Sequence, residues 1–281
     1  IPPGINLIIY ALMANVSVGR VFAAGYLPGI LMTATLMVAV HLVAKKRNYK
    51  PVREKRAGAK EFAKQSLDSL WALLFPFGII LGLRIGMFTP SEAGAVAVFY
   101  CIIVGKFIYK ELGSEHIIPV LKETIFGTSG VVLIIVSANV FGYYLNWERI
   151  PQAMTSLLLN LTQSKYVMLL IVNLLFLVLG MFLEGGAAMI ILAPLLVPVM
   201  VRLGVDPVHF GLITIVNIMI GGITPPFGSM MFTTCSITQC PIADFVKESI
   251  PFILALLVAL LLVTYIPAIS LILPNLIYGA V

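Results

Sequence analysis

Charge is what this sequence has least of. Lys, Arg, Asp and Glu make up 11% of its 281 residues, where a soluble domain carries about 25%. That shortage excludes an ordinary solvated domain. Cysteine is nearly absent too, and Cys101, Cys235 and Cys240 lie in or beside apolar segments, where they read as small buried hydrophobes. The three histidines, His41, His116 and His209, form no ligand pattern, so a metal centre has little support. Catalytic signatures are missing. There is no Gly-Xaa-Ser-Xaa-Gly, no Walker loop, no His-Glu-Xaa-Xaa-His and no His near a candidate serine. The chain reads as neither an enzyme nor a primary pump. It also opens on Ile1-Pro2-Pro3 with no methionine and no signal peptide, and looks like the continuation of something larger.

What is present is apolar: 60% of the residues are hydrophobic. Long apolar runs in lipid leave the helix as the fitting structure, so the fold class is an all-α polytopic membrane protein. The formal charge of +6 is concentrated, with nine of the 18 Lys and Arg between Lys45 and Lys64 against Glu54 and Glu61. This run reads as a solvated loop, placed in the cytoplasm by the positive-inside bias. Nucleic acid is an improbable partner, because no aromatic-interleaved groove accompanies the charge. Spans are expected at about Val21–Ala44, Leu70–Met87 (interrupted by Pro76 and Gly78, and carrying Arg84), Lys122–Leu145 and Pro251–Leu273. Residues 48–66 read as a loop and a short polar helix, and Asp244 and Lys247 as a polar connection before the last span. Tyr143, Tyr144 and Trp147 suit an outer interfacial belt, with a short helix from Ile150 to Leu161 lying along that face. Thr89-Pro90-Ser91-Glu92 opens a helix running to about Tyr109. It is read either as a capping box or as a membrane site, with Arg84 and Glu92 pairing across the turn.

The stretch Ile220-Gly221-Gly222-Ile223-Thr224-Pro225-Pro226-Phe227-Gly228-Ser229 organises the rest. Two consecutive prolines remove two N–H donors and clash with the preceding turn, so a helix from Phe210 must break there and resume over Phe227–Thr234. A break in hydrocarbon is tolerated only inside protein or along a wet cavity. Upstream, Tyr166–Leu183 and Ala187–Val201 are apolar arms separated by Glu184-Gly185-Gly186. They are read as a re-entrant hairpin, the alternative being one long kinked helix. Glu184 is the only acid between Glu148 and Asp206, and either serves a membrane site or caps the second arm. The Na⁺ site is expected on Glu184, Gly185, Gly221, Gly222, Thr224 and Pro225, through carbonyls freed by Gly and Pro together with the Thr224 hydroxyl. A substrate anion is expected near Asn217, Thr224, Ser229 and Gly186. Ile1-Pro2-Pro3-Gly4-Ile5-Asn6 parallels Thr224–Ser229, which suggests an internal repeat whose first copy is cut by the numbering.

Four stretches, Gly86-Met87-Phe88-Thr89-Pro90-Ser91-Glu92-Ala93, Gly180-Met181-Phe182, Gly204–Gly211 and Gly222–Gly228, together resemble the large membrane subunit (M subunit) of tripartite ATP-independent periplasmic (TRAP) transporters. The resemblance runs from Ile1 to about Pro274. Glu184-Gly185 departs from the Asp and nearby proline more usual in the family, and Arg84 is unusual. The resemblance implies an ion-transporter-type fold of two inverted repeats with a re-entrant hairpin and a broken helix. It implies an elevator mechanism in a bacterial inner membrane, Na⁺ coupling, a small membrane partner (Q subunit) and a periplasmic substrate-binding protein (P subunit). Under it, 1–47 would end the first repeat, 48–68 connect, 69–164 form scaffold helices, 165–248 hold the outer hairpin and broken helix, and 249–281 form the last helix. The expected function is Na⁺-coupled import of an organic acid such as sialic acid or a C4-dicarboxylate. Alternatives are a stand-alone divalent-anion/Na⁺ symporter of the same fold and, from another class, a passive channel.

Overall fold

The computed structural model describes residues 4–50 and 58–279. Thirteen α-helices are found among them. The chain divides into two compact units, one of residues 1–48 with 137–281 and one of 49–136. Ile1-Pro2-Pro3 and part of the basic run, residues 51–57, lie outside the described residues.

The smaller unit begins with α3 (Ala59–Asp68), the polar helix expected after the basic run, all of it accessible to solvent. It meets α4 (Leu70–Arg84) at a 54° bend, and α4 accommodates Pro76 without breaking. Next comes α5 (Pro90–Ile103), followed by one wider turn over Val104–Ile108. Its start is a capping box: the Thr89 amide donates to Glu92 Oε2 at 2.7 Å, and the Glu92 amide donates to Thr89 Oγ at 3.3 Å. Both groups are used in satisfying the helix's orphan donors, which favours the capping reading over the membrane-site one. The pairing of Arg84 with Glu92 involves a side chain outside the described residues. Tyr100 and Tyr109 tie the unit together, their hydroxyls donating to the carbonyls of Trp71 (2.5 Å) and Asp68 (3.0 Å). Helix α6 (Ile117–Trp147) leads out of this unit into the larger one.

The larger unit contains α1 (Ile5–Met13), α2 (Val18–Lys46), α7 (Ile150–Leu161), α8 (Lys165–Phe182), α9 (Gly185–Arg202), α10 (Pro207–Gly222), α11 (Ser229–Thr238), α12 (Ile242–Tyr265) and α13 (Pro267–Tyr278). Among the described residues α2, α8, α9 and α12 are long and apolar enough to cross a membrane, and the bent pair α3–α4 would make a fifth. The core lies where α10 packs on α8, α12 and α2, around Val216, Ile220, Leu256 and Leu260. At the α8–α10 crossing the two backbones nearly touch: a side-chain carbon on Gly221 would lie 2.7 Å from Gly180 Cα. Small residues at a crossing allow the van der Waals packing that joins helices in lipid.

Several expectations are corrected in detail. The last span does not run Pro251–Leu273. Helix α12 starts at Ile242 and ends at Tyr265, because Pro267 lacks an N–H and forces Ile266 (φ −119°, ψ 83°) out of the α region. Asp244 and Lys247 accordingly lie in the first turns of α12, not in a connection. The second half of the broken helix is Ser229–Thr238, and Phe227 precedes it. Gly185 and Gly186 belong to the first turn of α9, so the residues that leave helical geometry are Leu183 (ψ 146°) and Glu184 (ψ 142°). Two extended residues end the hydrogen-bond ladder, and one continuous kinked helix is excluded.

The internal parallel holds in local conformation, with its register moved by one residue. Gly4 precedes α1 and Gly228 precedes α11; Asn15 (φ 52°) and Gln239 (φ 55°) follow them in the left-handed region; Val18 and Ile242 then start α2 and α12. All three pairs share one separation, Gly4 matching Gly228, where the six-residue parallel had set Ile5. Helices α2 and α12 pack antiparallel, with Arg47 after the end of α2 paired to Glu248 near the start of α12 at 2.5 Å.

The Gly180–Gly221 contact generates a stability prediction. Gly221→Val is expected to cost about 1–3 kcal/mol by overpacking a backbone contact. Gly78→Ala, whose added carbon meets open space, serves as the comparison. Thermal unfolding in one detergent should show a lowered midpoint for Gly221→Val alone; equal midpoints would contradict the tight crossing.

Candidate functional site

Helix α10 ends because of which donors the prolines delete. In a continuing helix the amides of residues 225 and 226 would bond the carbonyls of Gly221 and Gly222, and both positions are proline. The Gly221 carbonyl is recovered by the Thr224 amide at 2.9 Å, and the Ile220 carbonyl accepts the Ile223 amide at 3.2 Å. The Thr224 hydroxyl also donates to Ile220 O, at 2.6 Å, which keeps its lone pairs available. For Gly222 O no donor is found among the described residues. The chain then passes through Pro225–Pro226, joined by a cis peptide, and folds back so that Gly228 lies beneath two carbonyls. A side-chain carbon on Gly228 would meet Gly222 O at 2.5 Å and Thr224 O at 2.9 Å. Only glycine permits this approach, and it gathers two peptide oxygens at one point.

The second interruption adjoins the first. Around Gly185 a side-chain carbon would find Met219 Cε at 3.0 Å, Asn6 Nδ2 at 3.1 Å and Ile218 Cγ2 at 3.2 Å. The start of α9, the start of α1 and the last turn of α10 therefore meet. The rings of Phe182 and Phe227, one from each interruption, lie 5.5 Å apart. Glu184 is exposed, and its carboxylate accepts the Ala187 amide at 3.1 Å, capping α9. That explains why an acid stands at this otherwise apolar junction, and it is the capping role weighed from the sequence. By contrast α1 and α11 begin at Gly4 and Gly228 without side-chain caps, so their first amides retain their pull on anions.

The expected residues thus divide. Glu184, Gly185, Gly186, Gly221, Gly222, Thr224 and Pro225 fall at the two adjoining interruptions. Ser229 is exposed in the first turn of α11. Asn217 lies elsewhere: it is fully buried, donating to Asn173 Oδ1 at 2.6 Å and to Ile213 O at 2.8 Å. Asn173 continues the chain to Thr264 Oγ at 3.0 Å, and the Thr264 carbonyl reaches His209 Nε2 at 3.3 Å. His209 Nδ1 lies 3.2 Å from Ser270 Oγ. This buried thread joins α8, α10, α12 and α13 and pairs polar groups that lipid could not, with Asn217 Oδ1 alone in it left without a partner among the described residues. Sequence reasoning passed over Asn173, His209, Thr264 and Ser270. The one available signal was a lone Asn in each of two apolar helices. Asn6, placed at the site by the fold, was noticed only as part of the repeat. No cluster of three His, Cys, Asp or Glu that could hold a metal occurs among the described residues.

Adjoining helix interruptions in a polytopic helical protein, with backbone rather than charged groups at their junction, are a feature that secondary transporters use. Comparison with known proteins gives the family. Residues 1–269 match the family model described as "Tripartite ATP-independent periplasmic transporter, DctM component", and the chain belongs to that family. It is 39% identical over 275 residues to the C4-dicarboxylate TRAP transporter large permease protein DctM of Pseudomonas aeruginosa, covering 98% of this chain and 64% of that protein. It is 37% identical over 279 residues to the sialic acid TRAP transporter large permease protein SiaM of Vibrio cholerae, covering 99% and 65%. A third relative is the isethionate TRAP transporter permease protein DctMQ of Oleidesulfovibrio alaskensis, 37% identical over 271 residues, covering 96% and 42%. The chain spans about two thirds of the length of the first two.

The Asn173–Asn217 contact predicts a measurable coupling. Asn173→Ala leaves the Asn217 amide short of an acceptor, at a cost of about 1–3 kcal/mol. A double-mutant cycle with Asn217→Ala should then show non-additivity of about 0.6 kcal/mol or more. Strict additivity in the unfolding free energies would show that the contact carries no energy.

Proposed function

We propose that this chain is the larger part of a TRAP large permease subunit, and that it takes part in importing an organic anion coupled to Na⁺. The observation that carries this reading is the convergence of Gly222 O and Thr224 O over Gly228, beside the Glu184–Gly186 interruption. Uncharged carbonyls lacking amide partners suit a hard monovalent cation, and the uncapped starts of α1 and α11 suit the carboxylate or sulfonate of a substrate. The cation is cargo, held by the Gly222, Thr224 and Pro225 backbone oxygens with the Thr224 hydroxyl, while Gly221, whose carbonyl accepts the Thr224 amide, and Gly185, in the first turn of α9, border the place without giving it an oxygen. Glu184 contributes as the cap that fixes the start of α9. The anion sits toward Gly186, Asn6 and Ser229. Asn217 supports this place from one turn below, through Asn173, rather than by touching substrate.

The relatives carry the names of C4-dicarboxylate, sialic acid and isethionate transporters, all of them organic anions. An organic acid is accordingly the proposed substrate class here. It is delivered by a periplasmic binding protein, with a small Q-type subunit alongside in the inner membrane. Antiparallel packing of α2 on α12, each preceded by the same glycine, half-helix and left-handed residue, supports two inverted repeats. A site at such a repeat junction is what alternating access requires, and an elevator displacement of the unit that bears it is the proposed movement. The basic end of α2 sets the cytoplasmic side.

Thr224 tests the cation site. In proteoliposomes with the partner subunits, Thr224→Val should raise the half-saturating sodium concentration about tenfold or more, while Thr224→Ser stays close to the parent. Coincident sodium curves for Thr224→Val and the parent would remove Thr224 from the site.

A further inference from the structure

Between α2 and α12 the outer surface opens into an apolar groove of about 430 Å³, lined by Thr35, Val38, Ala39 and Leu42 on one side and Pro251, Leu254, Ala255 and Val258 on the other. Its polar lining is confined to Thr35, whose hydroxyl is spent on the Met32 carbonyl at 2.9 Å. One end of the groove is charged. Helical spacing continues the α2 stripe 35, 38, 42 to Lys46, and the α12 stripe 258, 254, 251 to Lys247. Because the helices run antiparallel, these two lysines stand at the same end, one turn beyond the last apolar residues, and both are exposed. Beside them Arg47 and Glu248 neutralise one another at 2.5 Å.

We propose that this groove binds one anionic phospholipid, an acyl chain lying along Val38–Val43 and Leu254–Val258 and the phosphate between Lys46 and Lys247. An apolar slot alone would accept any chain, or a helix of another protein. The two cations on the groove's own stripes select a molecule that is long and apolar with a negative head. Basic pockets between spanning helices on the cytoplasmic side hold such headgroups. The site is remote from the interruptions at Gly185 and Gly222 in sequence and in chemistry, so it stands whether or not the sodium reading does.

Binding is measured by native mass spectrometry of the full membrane subunit titrated with phosphatidylglycerol. Phosphatidylcholine of the same acyl composition and soluble glycerol phosphate are the comparison probes. One saturable phosphatidylglycerol is expected, with weaker phosphatidylcholine and no glycerol phosphate. Each lysine near an anionic head contributes about fivefold, so Lys46→Gln with Lys247→Gln should weaken phosphatidylglycerol about thirtyfold. Lys46→Arg with Lys247→Arg should retain it, and Lys60→Gln with Lys64→Gln, an equal charge change on α3, should leave it unaltered. Equal affinity in the Lys46/Lys247 glutamine variant, or equal binding of the two lipids, would overturn the proposal. So would a cysteine placed at Ala255 that cross-links to a protein chain in membranes, since a second copy or partner subunit would then fill the groove.

Discussion

In hydrocarbon every peptide N–H and C=O needs a partner inside the protein. Among the described residues the larger unit meets most of that demand internally, and the break after α10 is a place where it does not. Its long helices satisfy themselves; the buried Asn217–Asn173–Thr264 line pairs the side-chain amides between them, leaving Asn217 Oδ1 without a partner; Glu184 caps the start of α9. At Pro225–Pro226 two donors are deleted outright, and among the described residues only one of the two carbonyls they would have served finds another amide. The remaining oxygen, together with Thr224 O, is folded over Gly228. A group left without a partner in an apolar setting costs free energy unless something binds it. On the proposed reading, this pair of oxygens is where a cation gains most.

The surrounding packing serves to hold that exception in place. Gly180 lets α8 lie against Gly221, one residue before the Gly222 carbonyl, so the last turn of α10 has a rigid neighbour. Asn6, Gly185 and Met219 bring three helix ends into contact on the other side. Two uncapped helix starts and a set of helix-end carbonyls then offer complementary fields to an anion and a cation bound near each other. On the proposed reading, binding one would lower the electrostatic cost of binding the other, as coupled movement requires.

Much of this was legible from residue identity. Two adjacent prolines after two glycines cannot continue a helix, and Thr89-Pro90-Ser91-Glu92 spells a helix start, which the structure forms atom for atom. The helix Ile150–Leu161 also falls where the sequence placed it. Proline position was harder to read when the element was long. Pro28, Pro76 and Pro251 are carried inside helices, whereas Pro267 ends one, so the residue type alone does not say which prolines interrupt. The site was legible as a set of interrupted backbones, because freed carbonyls follow from Gly and Pro. The place of Asn217 was not, since a lone Asn on an apolar helix looks alike whether it faces a cavity or another Asn. Its partner Asn173 is 44 residues away, and nothing local announces the contact.

The central claim is that peptide oxygens of the break hold the cation, and the chain carries its own control for testing it. Thr-Pro occurs twice in this sequence, at Thr89-Pro90 and at Thr224-Pro225. With ¹³C-carbonyl threonine and ¹⁵N proline, solid-state NMR of the protein in lipid reports these two carbonyls alone within this chain. Exchanging choline for sodium is expected to shift the Thr224 signal and leave the Thr89 signal where it was. If both signals stay fixed while the same preparation still takes up substrate only in sodium, the cation is held elsewhere.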